Sequence, residues 1–156
     1  MQLIRTLLDL VRPPKLDDPF FGRLVYMKMR DPRLSYWEAT RVFAPTGREI
    51  DLFIRAPAPL AAPNEAQRSF YQDVADGYPD IFAAIEPKLR LEVEEWLGRK
   101  VEGSLDGELS LTSFSVPVPS AILPSWEMSF ASTTDPDHLF TATLRGREVQ
   151  QVTIDG

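Results

Sequence analysis

The fold is decided by residues 64–98, which read NEAQRSFYQDVADGYPDIFAAIEPKLRLEVEEWLG. The large apolar residues of this stretch recur every three or four positions, which is the spacing of one helix face. They are Phe70, Val74, Tyr78, Ile81, Ile85, Leu89, Val93 and Trp96. Asn64 followed by Gln67 resembles a capping box, and Gly98 is a typical helix stop. Because the spacing keeps its phase through both prolines, it predicts one helix bent at the prolines or two helices stacked nearly end to end.

Strand patterns flank this helical stretch on both sides. Residues 20–56 hold three segments rich in β-branched and aromatic residues, and residues 108–154 hold three or four more. The prolines of residues 57–63 make the connection to the helix a loop. The order predicts an α+β fold: an antiparallel sheet of about six or seven strands, with a long proline-bent helix packed on one face.

The first residues predict a further, short helix. After Met1, residues 1–14 contain six large apolar residues, interrupted by Arg5 and Asp9, and we interpret residues 1–14 as an amphipathic helix that caps the sheet. The six are Leu3, Ile4, Leu7, Leu8, Leu10 and Val11. The two charges and the lack of a small-residue cleavage site argue against a signal peptide. With 156 residues, we expect residues 1–156 to form a single domain.

Composition narrows the classes of partner. The net charge of -6 argues against nucleic acid and against anionic membrane surfaces, and no apolar stretch approaches the roughly 18 residues of a membrane span. The chain has no cysteine, which excludes disulfides and thiolate chemistry and makes the cytoplasm the simplest compartment. The charge is uneven, since residues 1–60 carry 10 basic and 7 acidic groups whereas residues 61–156 carry 7 and 16.

No motif for catalysis or for a cofactor is evident. The phosphate-binding loop, the dinucleotide-binding glycine pattern and the Gly-x-Ser-x-Gly elbow are all missing. The single histidine, His138, follows Asp135-Pro136-Asp137, where two carboxylates and an imidazole could hold a metal. Asp-Pro-Asp is also a typical turn, however, and we expect a turn at this position. The sequence therefore predicts no metal and no cofactor, and it favours a protein that is not an enzyme without excluding an enzyme.

We interpret the acidic second part as a binding surface. The chain would then be a non-catalytic protein-binding module that meets a basic protein partner through Asp73, Asp76, Glu92, Glu94 and Glu95. An alternative is that these charges only keep the protein soluble, or face the basic first part within the fold.

The aromatic residues Tyr36 and Phe53 also bear on where a binding surface lies. Strand alternation places Trp37 and Trp126 in the core but leaves Tyr36 on the outer sheet face, where it is a further candidate binding residue. Phe53 is a second irregularity, because it lies on the otherwise polar side of its strand. The competing function is a small-ligand-binding protein or hydrolase, with a pocket between sheet and helix that uses Asp135, Asp137, His138 or the glutamates.

Several short segments resemble an uncharacterised family of short bacterial proteins. They are Phe21-Gly22-Arg23-Leu24, Tyr36-Trp37-Glu38-Ala39, Gly47-Arg48-Glu49-Ile50-Asp51, Gln67-Arg68-Ser69-Phe70-Tyr71 and Ile154-Asp155-Gly156. The resemblance spans most of residues 20–156, and it implies immunity-type domains encoded beside toxins. Its motifs are turns, strand aromatics and a helix start, so it implies one intact domain and transfers no catalytic residue.

Overall fold

The structure is a computed structural model, and it describes residues 12–155. The strands are β1 (Lys15–Asp18), β2 (Gly22–Met27), β3 (Tyr36–Phe43), β4 (Arg48–Arg55), β5 (Leu109–Val116), β6 (Ser125–Ser132), β7 (Leu139–Arg145) and β8 (Glu148–Asp155). The helices are α1 (Glu65–Asp76) and α2 (Tyr78–Leu97), and 3-10 turns lie at Pro32–Leu34 and Leu105–Gly107. The α+β class is confirmed.

Within residues 12–155, all eight strands lie side by side in one sheet, in chain order. Neighbouring strands are antiparallel except β4 and β5, which are parallel. The exception arises because the chain leaves β4 at one end of the sheet and crosses back through α1 and α2 before it enters β5. The predicted sheet of six or seven antiparallel strands is therefore corrected to eight strands with one parallel pair.

The helical stretch forms two helices. Asn64 Oδ1 accepts a hydrogen bond from Gln67 N (3.0 Å), and Gln67 Oε1 accepts one from Asn64 N (3.1 Å), which confirms the capping box. Gly77 separates α1 from α2, Pro87 lies inside α2 without ending it, and Gly98 ends α2 with a φ of 68°. Of the two predicted arrangements, two successive helices is the correct one.

Both helices pack on the same face of the sheet. Five of the predicted stripe residues are buried there, whereas Phe70, Tyr78 and Trp96 are partly buried at its margin. The buried five are Val74, Ile81, Ile85, Leu89 and Val93. Trp37 and Trp126 are also in the core, as predicted, and their indole N–H groups donate to the carbonyl oxygens of Ala61 and Gly146, both at 2.8 Å.

The other face of the sheet carries the alternate residues of each strand, and we call it the open face. Tyr36 and Phe53 lie on it, next to each other on β3 and β4, with ring centroids 5.8 Å apart. Neither helix in the described part of the chain combines the length and the hydrophobicity that a membrane span needs.

The beginning of the chain differs from the expectation. Of the helix predicted over residues 1–14, residues 1–11 lie outside the described residues, and residues 12–14 are not helical but lead into β1. Strand β1 was not predicted, because its sequence, KLDD, has no run of apolar or β-branched residues. Asp18 explains its end: the buried carboxylate Oδ1 accepts from the backbone N–H groups of Phe20 (2.9 Å) and Phe21 (2.8 Å) and so fixes the turn into β2.

Candidate functional site

A groove lies at the end of the sheet where β4 and β5 both finish. Because these strands are parallel, their carboxyl ends meet at one edge, and the chain leaves them in different directions, from β4 to α1 and from β5 to the neighbouring β6. Such a divergence leaves a crevice, which is where open sheets with parallel strands bind their ligands. The cavity at this crevice has a volume of about 1000 Å³.

Side chains from four strands line the groove. They are Tyr36, Phe53, Arg55, Ser115 and Glu127. Register brings them together, since Tyr36 is paired with Arg55 across β3 and β4, and Phe53 with Ser115 across β4 and β5. Ser115 Oγ accepts a hydrogen bond from Glu127 N (2.8 Å), which ties β5 to the start of β6. The parallel pair is therefore what assembles this set of residues.

One wall of the groove is apolar and exposed. It consists of Met29 and Leu34, in the connection from β2 to β3, which are 42% and 49% exposed. Five of the eight exposed large apolar residues within residues 12–155 belong to connections at this end of the sheet. They are Met29, Leu34, Leu60, Ile122 and Leu123. Exposed apolar residues concentrated in one region are typical of an interaction site.

Tyr36 is a neutral hydrogen-bonding group in the groove. Its hydroxyl donates to Glu38 Oε1 at 3.4 Å. Burial raises the pKa of the Tyr36 hydroxyl, and the negative charge of Glu38 raises it further. Both effects keep Tyr36 protonated at physiological pH, so that its O–H remains a donor.

Arg55 and Glu127 supply opposite charges. Arg55 Nη1 donates to the carbonyl oxygen of Arg33 (3.4 Å), but no carboxylate of residues 12–155 lies within ion-pair distance of the Arg55 guanidinium. Glu127 likewise has no cation at that distance among the same residues. The groove therefore presents one cation and one anion, Arg55 and Glu127.

A buried glutamine anchors β4 where it enters the groove. Gln67, at the start of α1, is fully buried, and its Nε2 donates to the carbonyl oxygen of Arg55 at 2.7 Å. Its Oε1 is already occupied by Asn64 N in the capping box. One side chain thus joins the beginning of the helical layer to the groove.

The middle of the open face is mostly polar. A second cavity of about 520 Å³ shares Phe53 with the groove. Beyond it, a row of directly paired residues crosses six strands: Thr40, Asp51, Ser113, Ser129, Thr141 and Thr153. Hydrogen bonds join Thr40 to Asp51 (3.1 Å) and Ser129 to Thr141 (2.9 Å). A band of polar side chains therefore separates the groove from the opposite end of the open face, where Val42 is exposed.

The predicted acidic residues lie in the helical layer, apart from the groove and divided into two groups. Asp73 and Asp76 are in the last turn of α1, whereas Glu92, Glu94 and Glu95 are near the end of α2. At 1.5 Å per residue, the part of α2 from Tyr78 to Glu92 spans roughly 20 Å between the two groups.

Glu94 has a structural role. Its carboxylate accepts from Val101 N (3.1 Å) and pairs with Lys100 Nζ (3.1 Å), and these contacts lower its pKa, the backbone hydrogen bond most strongly. Glu95 is exposed and Glu92 is half-buried. The structure thus places Tyr36 in a cavity and divides the five acidic residues between the end of α1 and the end of α2.

His138 lies in a turn directly before β7. Its Nδ1 is 2.7 Å from Asp135 Oδ2, and the backbone N–H groups of Asp137 and His138 both donate to Asp135 at 3.3 Å. Its ring packs against Trp96, with centroids 5.1 Å apart. Among residues 12–155, no group of three or more possible ligands is arranged to hold a metal ion.

The groove residues other than Tyr36 were not predicted from the sequence. Phe53 gave the only local signal, as an aromatic residue on the polar side of its strand. Ser115 and Glu127 lie on the antiparallel neighbours β5 and β6, and the parallel pairing of β4 with β5 brings Arg55 to them.

A scan of protein-family models, a search of curated proteins and a search of solved structures each found no match for the chain. The family resemblance stays a prediction.

Proposed function

We propose that the chain is a protein-binding domain that holds a short segment of a partner protein in the groove. The observation that carries the proposal is the exposed apolar wall of Met29 and Leu34 beside the charges of Arg55 and Glu127, which have no ion-pair partner among residues 12–155. The apolar wall gains from being covered, and the charges set the direction of the bound segment. This proposal agrees with the protein-binding function predicted from the sequence. It differs in the binding surface, which is the region of Tyr36 instead of the acidic residues of the helices.

The charges of the groove indicate the chemistry of the partner. Lys28 and Arg30 flank Met29, and Asp31 in the same connection is already paired with Arg33 (Oδ2 to Nη2, 2.9 Å). The apolar wall is therefore also basic. A segment with two or three apolar side chains and an acidic residue toward this wall fits both properties.

A selection from a random peptide library, displayed on phage and panned against the full chain, tests the proposal. Leu34→Glu is the groove variant, and Val42→Glu is the matched control, because Val42 is 60% exposed in β3 at the opposite end of the sheet. We expect selected peptides to bind Leu34→Glu about 10-fold more weakly, which corresponds to about 1.4 kcal/mol, and to bind Val42→Glu unchanged. Arg55→Glu should weaken the binding of peptides that contain an acidic residue and leave the binding of the other peptides unchanged.

Two results would contradict the proposal. One is a selection that returns no peptide with measurable affinity; the other is a set of peptides that bind Leu34→Glu and the unmodified chain equally. The double variant Glu92→Lys, Glu95→Lys tests the acidic surface against the groove. If this variant loses binding while the groove variants bind normally, the acidic surface is the binding site instead.

The position of the groove also supports a second candidate, a small anionic ligand. Parallel strand ends are a common location for such sites, and Arg55 with the hydroxyls of Tyr36 and Ser115 could hold a carboxylate or a phosphate. A thermal-shift screen with small carboxylates and phosphates tests this function. Stabilisation that is lost in Arg55→Gln but kept in Leu34→Glu would favour it over a protein partner.

A further inference from the structure

We propose that two copies of this chain pair along strand β8 and join their sheets into one. Strand β8 lies at the edge of the sheet, and within residues 12–155 it has a neighbouring strand, β7, on one side only. The backbone N–H and C=O groups on its outer side can therefore pair with a further strand. The groove is lined by strands β3 to β6, so this inference does not rest on the proposed function.

The two edges of the sheet differ in how they are protected against pairing. Strand β1, at one edge, has four residues, KLDD, of which three are charged, and it directly follows Pro13 and Pro14. Short length, charge and proline are the features by which proteins prevent edge-to-edge pairing. Strand β8 has eight residues, and the six central ones, VQQVTI, include neither a charged residue nor a proline. Of the two edges, β8 is therefore the one that can accept a strand.

A bulge divides β8 into two parts. Two consecutive residues of β7 face three residues of β8, so that Gln150 is an extra residue, and such a bulge bends the strand. Before the bulge, the carbonyl oxygen of Val149 already accepts a hydrogen bond from Lys88 Nζ in α2 (3.2 Å). The regular part of the edge, where a second strand can pair without interruption, is therefore residues 151–155.

The apolar side of this part of the edge is incompletely covered. Val152 and Ile154 lie on the face that the helices cover, since they pair with Ala142 and Phe140, which are fully buried. Val152 is nevertheless only half-buried, and Ile154 is 37% exposed. A strand added to β8, with apolar residues at the matching positions, would remove both side chains from water.

The edge is complementary to itself, which identifies the partner as a second copy. In an antiparallel pair with Thr153 on a two-fold axis, Val152 lies opposite Ile154 of the second copy, and Gln151 lies opposite Asp155. Apolar residues then face apolar residues, and no two like charges are opposed. Shifting the register by one residue would bring opposite faces of the two sheets together. Centring the pair on Val152 or Ile154 instead would pair only three of the five residues.

The same axis continues the polar row of the open face. That row of directly paired residues ends at Thr153, which would lie beside Thr153 of the second copy. Both helical layers then lie on one side of the joined sheet. Each chain contributes five residues to the strand pairing, against the roughly 20–30 of a standard interface, so we expect the dimer to depend on protein concentration.

A cysteine cross-link in the full chain tests the register, because the chain has no cysteine of its own. Thr153→Cys places two thiols opposite each other across the two-fold axis, at a separation that a disulfide bridges. Gln151→Cys is the matched control, since its two thiols would lie roughly 13 Å apart along the strands. Under mild oxidation we expect at least about 10-fold more disulfide-linked dimer from Thr153→Cys than from Gln151→Cys. Equal cross-linking of the two variants, or none in either, would overturn the proposal.

Sedimentation of the chain without any cysteine measures the association itself. Ile154→Lys adds a charge of the kind that protects edge strands, and we expect it to raise the dissociation constant of the dimer about 10-fold or more. Val42→Lys, at a position 60% exposed in β3, is the matched control and should leave the constant unchanged. Urea unfolding of each variant verifies that it is folded. A chain that stays monomeric at millimolar concentration, or a dimer that Ile154→Lys does not weaken, would overturn the proposal.

Discussion

Gln67→Glu probes the contact that joins the helical layer to the groove. The two side chains have the same shape, and one carboxyl oxygen can still accept from Asn64 N. The other oxygen replaces Nε2, which donates to the Arg55 carbonyl at 2.7 Å, and it can keep this hydrogen bond only when protonated. The site is fully buried, so both burial and the facing carbonyl favour the neutral acid.

The magnitude follows from the linkage between pKa and stability. If the folded state raises the pKa of the new carboxyl by about 2.5 units, the variant loses about 3 kcal/mol of unfolding free energy at pH 8. In the unfolded chain the new carboxyl ionises at about pH 4.3, below its pKa in the folded state. Rising pH therefore stabilises the unfolded chain first, and the free energy of unfolding falls. At pH 5 the loss should be only about 1 kcal/mol.

Urea unfolding at the two pH values measures this difference. Gln151→Glu is the matched control, because Gln151 is an exposed glutamine in β8, and we expect it to change stability by less than about 0.5 kcal/mol at either pH. A Gln67→Glu variant as stable as the unmodified chain at pH 8, or a loss independent of pH, would refute the two-sided hydrogen bond of Gln67.

Three further predictions concern the remaining structure. Asp18→Ala leaves the N–H groups of Phe20 and Phe21 without their acceptor and should lower the unfolding free energy by about 2 kcal/mol in urea; an unchanged midpoint would contradict the role of Asp18. Gly98→Ala places a side chain at a φ of 68° and should lower the free energy of unfolding by about 1 kcal/mol in a thermal unfolding experiment; an unchanged stability would contradict the left-handed helix end at Gly98. Burial raises the pKa of Tyr78 to about 12, so stability should fall above about pH 10, where the unfolded chain ionises; in Tyr78→Phe this fall should be smaller, and an equal fall would exclude Tyr78 as its cause.

Elements governed by neighbouring residues could be predicted from the sequence. The capping box at Asn64, the helix end at Gly98 and the strand alternation that separates Trp37 from Tyr36 all depend on residues within a few positions. Strand β1 was missed because Asp18 ends it through local hydrogen bonds rather than through an apolar pattern.

The parallel pair and the groove could not be predicted in this way. The pairing of Phe53 with Ser115 depends on how α1 and α2 return the chain across the sheet, and nothing in either strand encodes that path. The same holds for Glu94, whose acidic character suggested a surface charge but whose partner Val101 is seven residues away, beyond the end of the helix.

The single parallel contact also separates two kinds of folding event. Strands β1–β4 and β5–β8 each pair with their neighbours in sequence, which requires only short loops to close. The contact between β4 and β5 must close over residues 56–108, a far larger loss of chain entropy before any ladder forms. We therefore expect strands β1–β4 and strands β5–β8 to form their own pairs first, and the contact between β4 and β5 to form late in folding. A chain still emerging from the ribosome without β5 has no complete groove, so that the binding we propose would require β5 to have been synthesised.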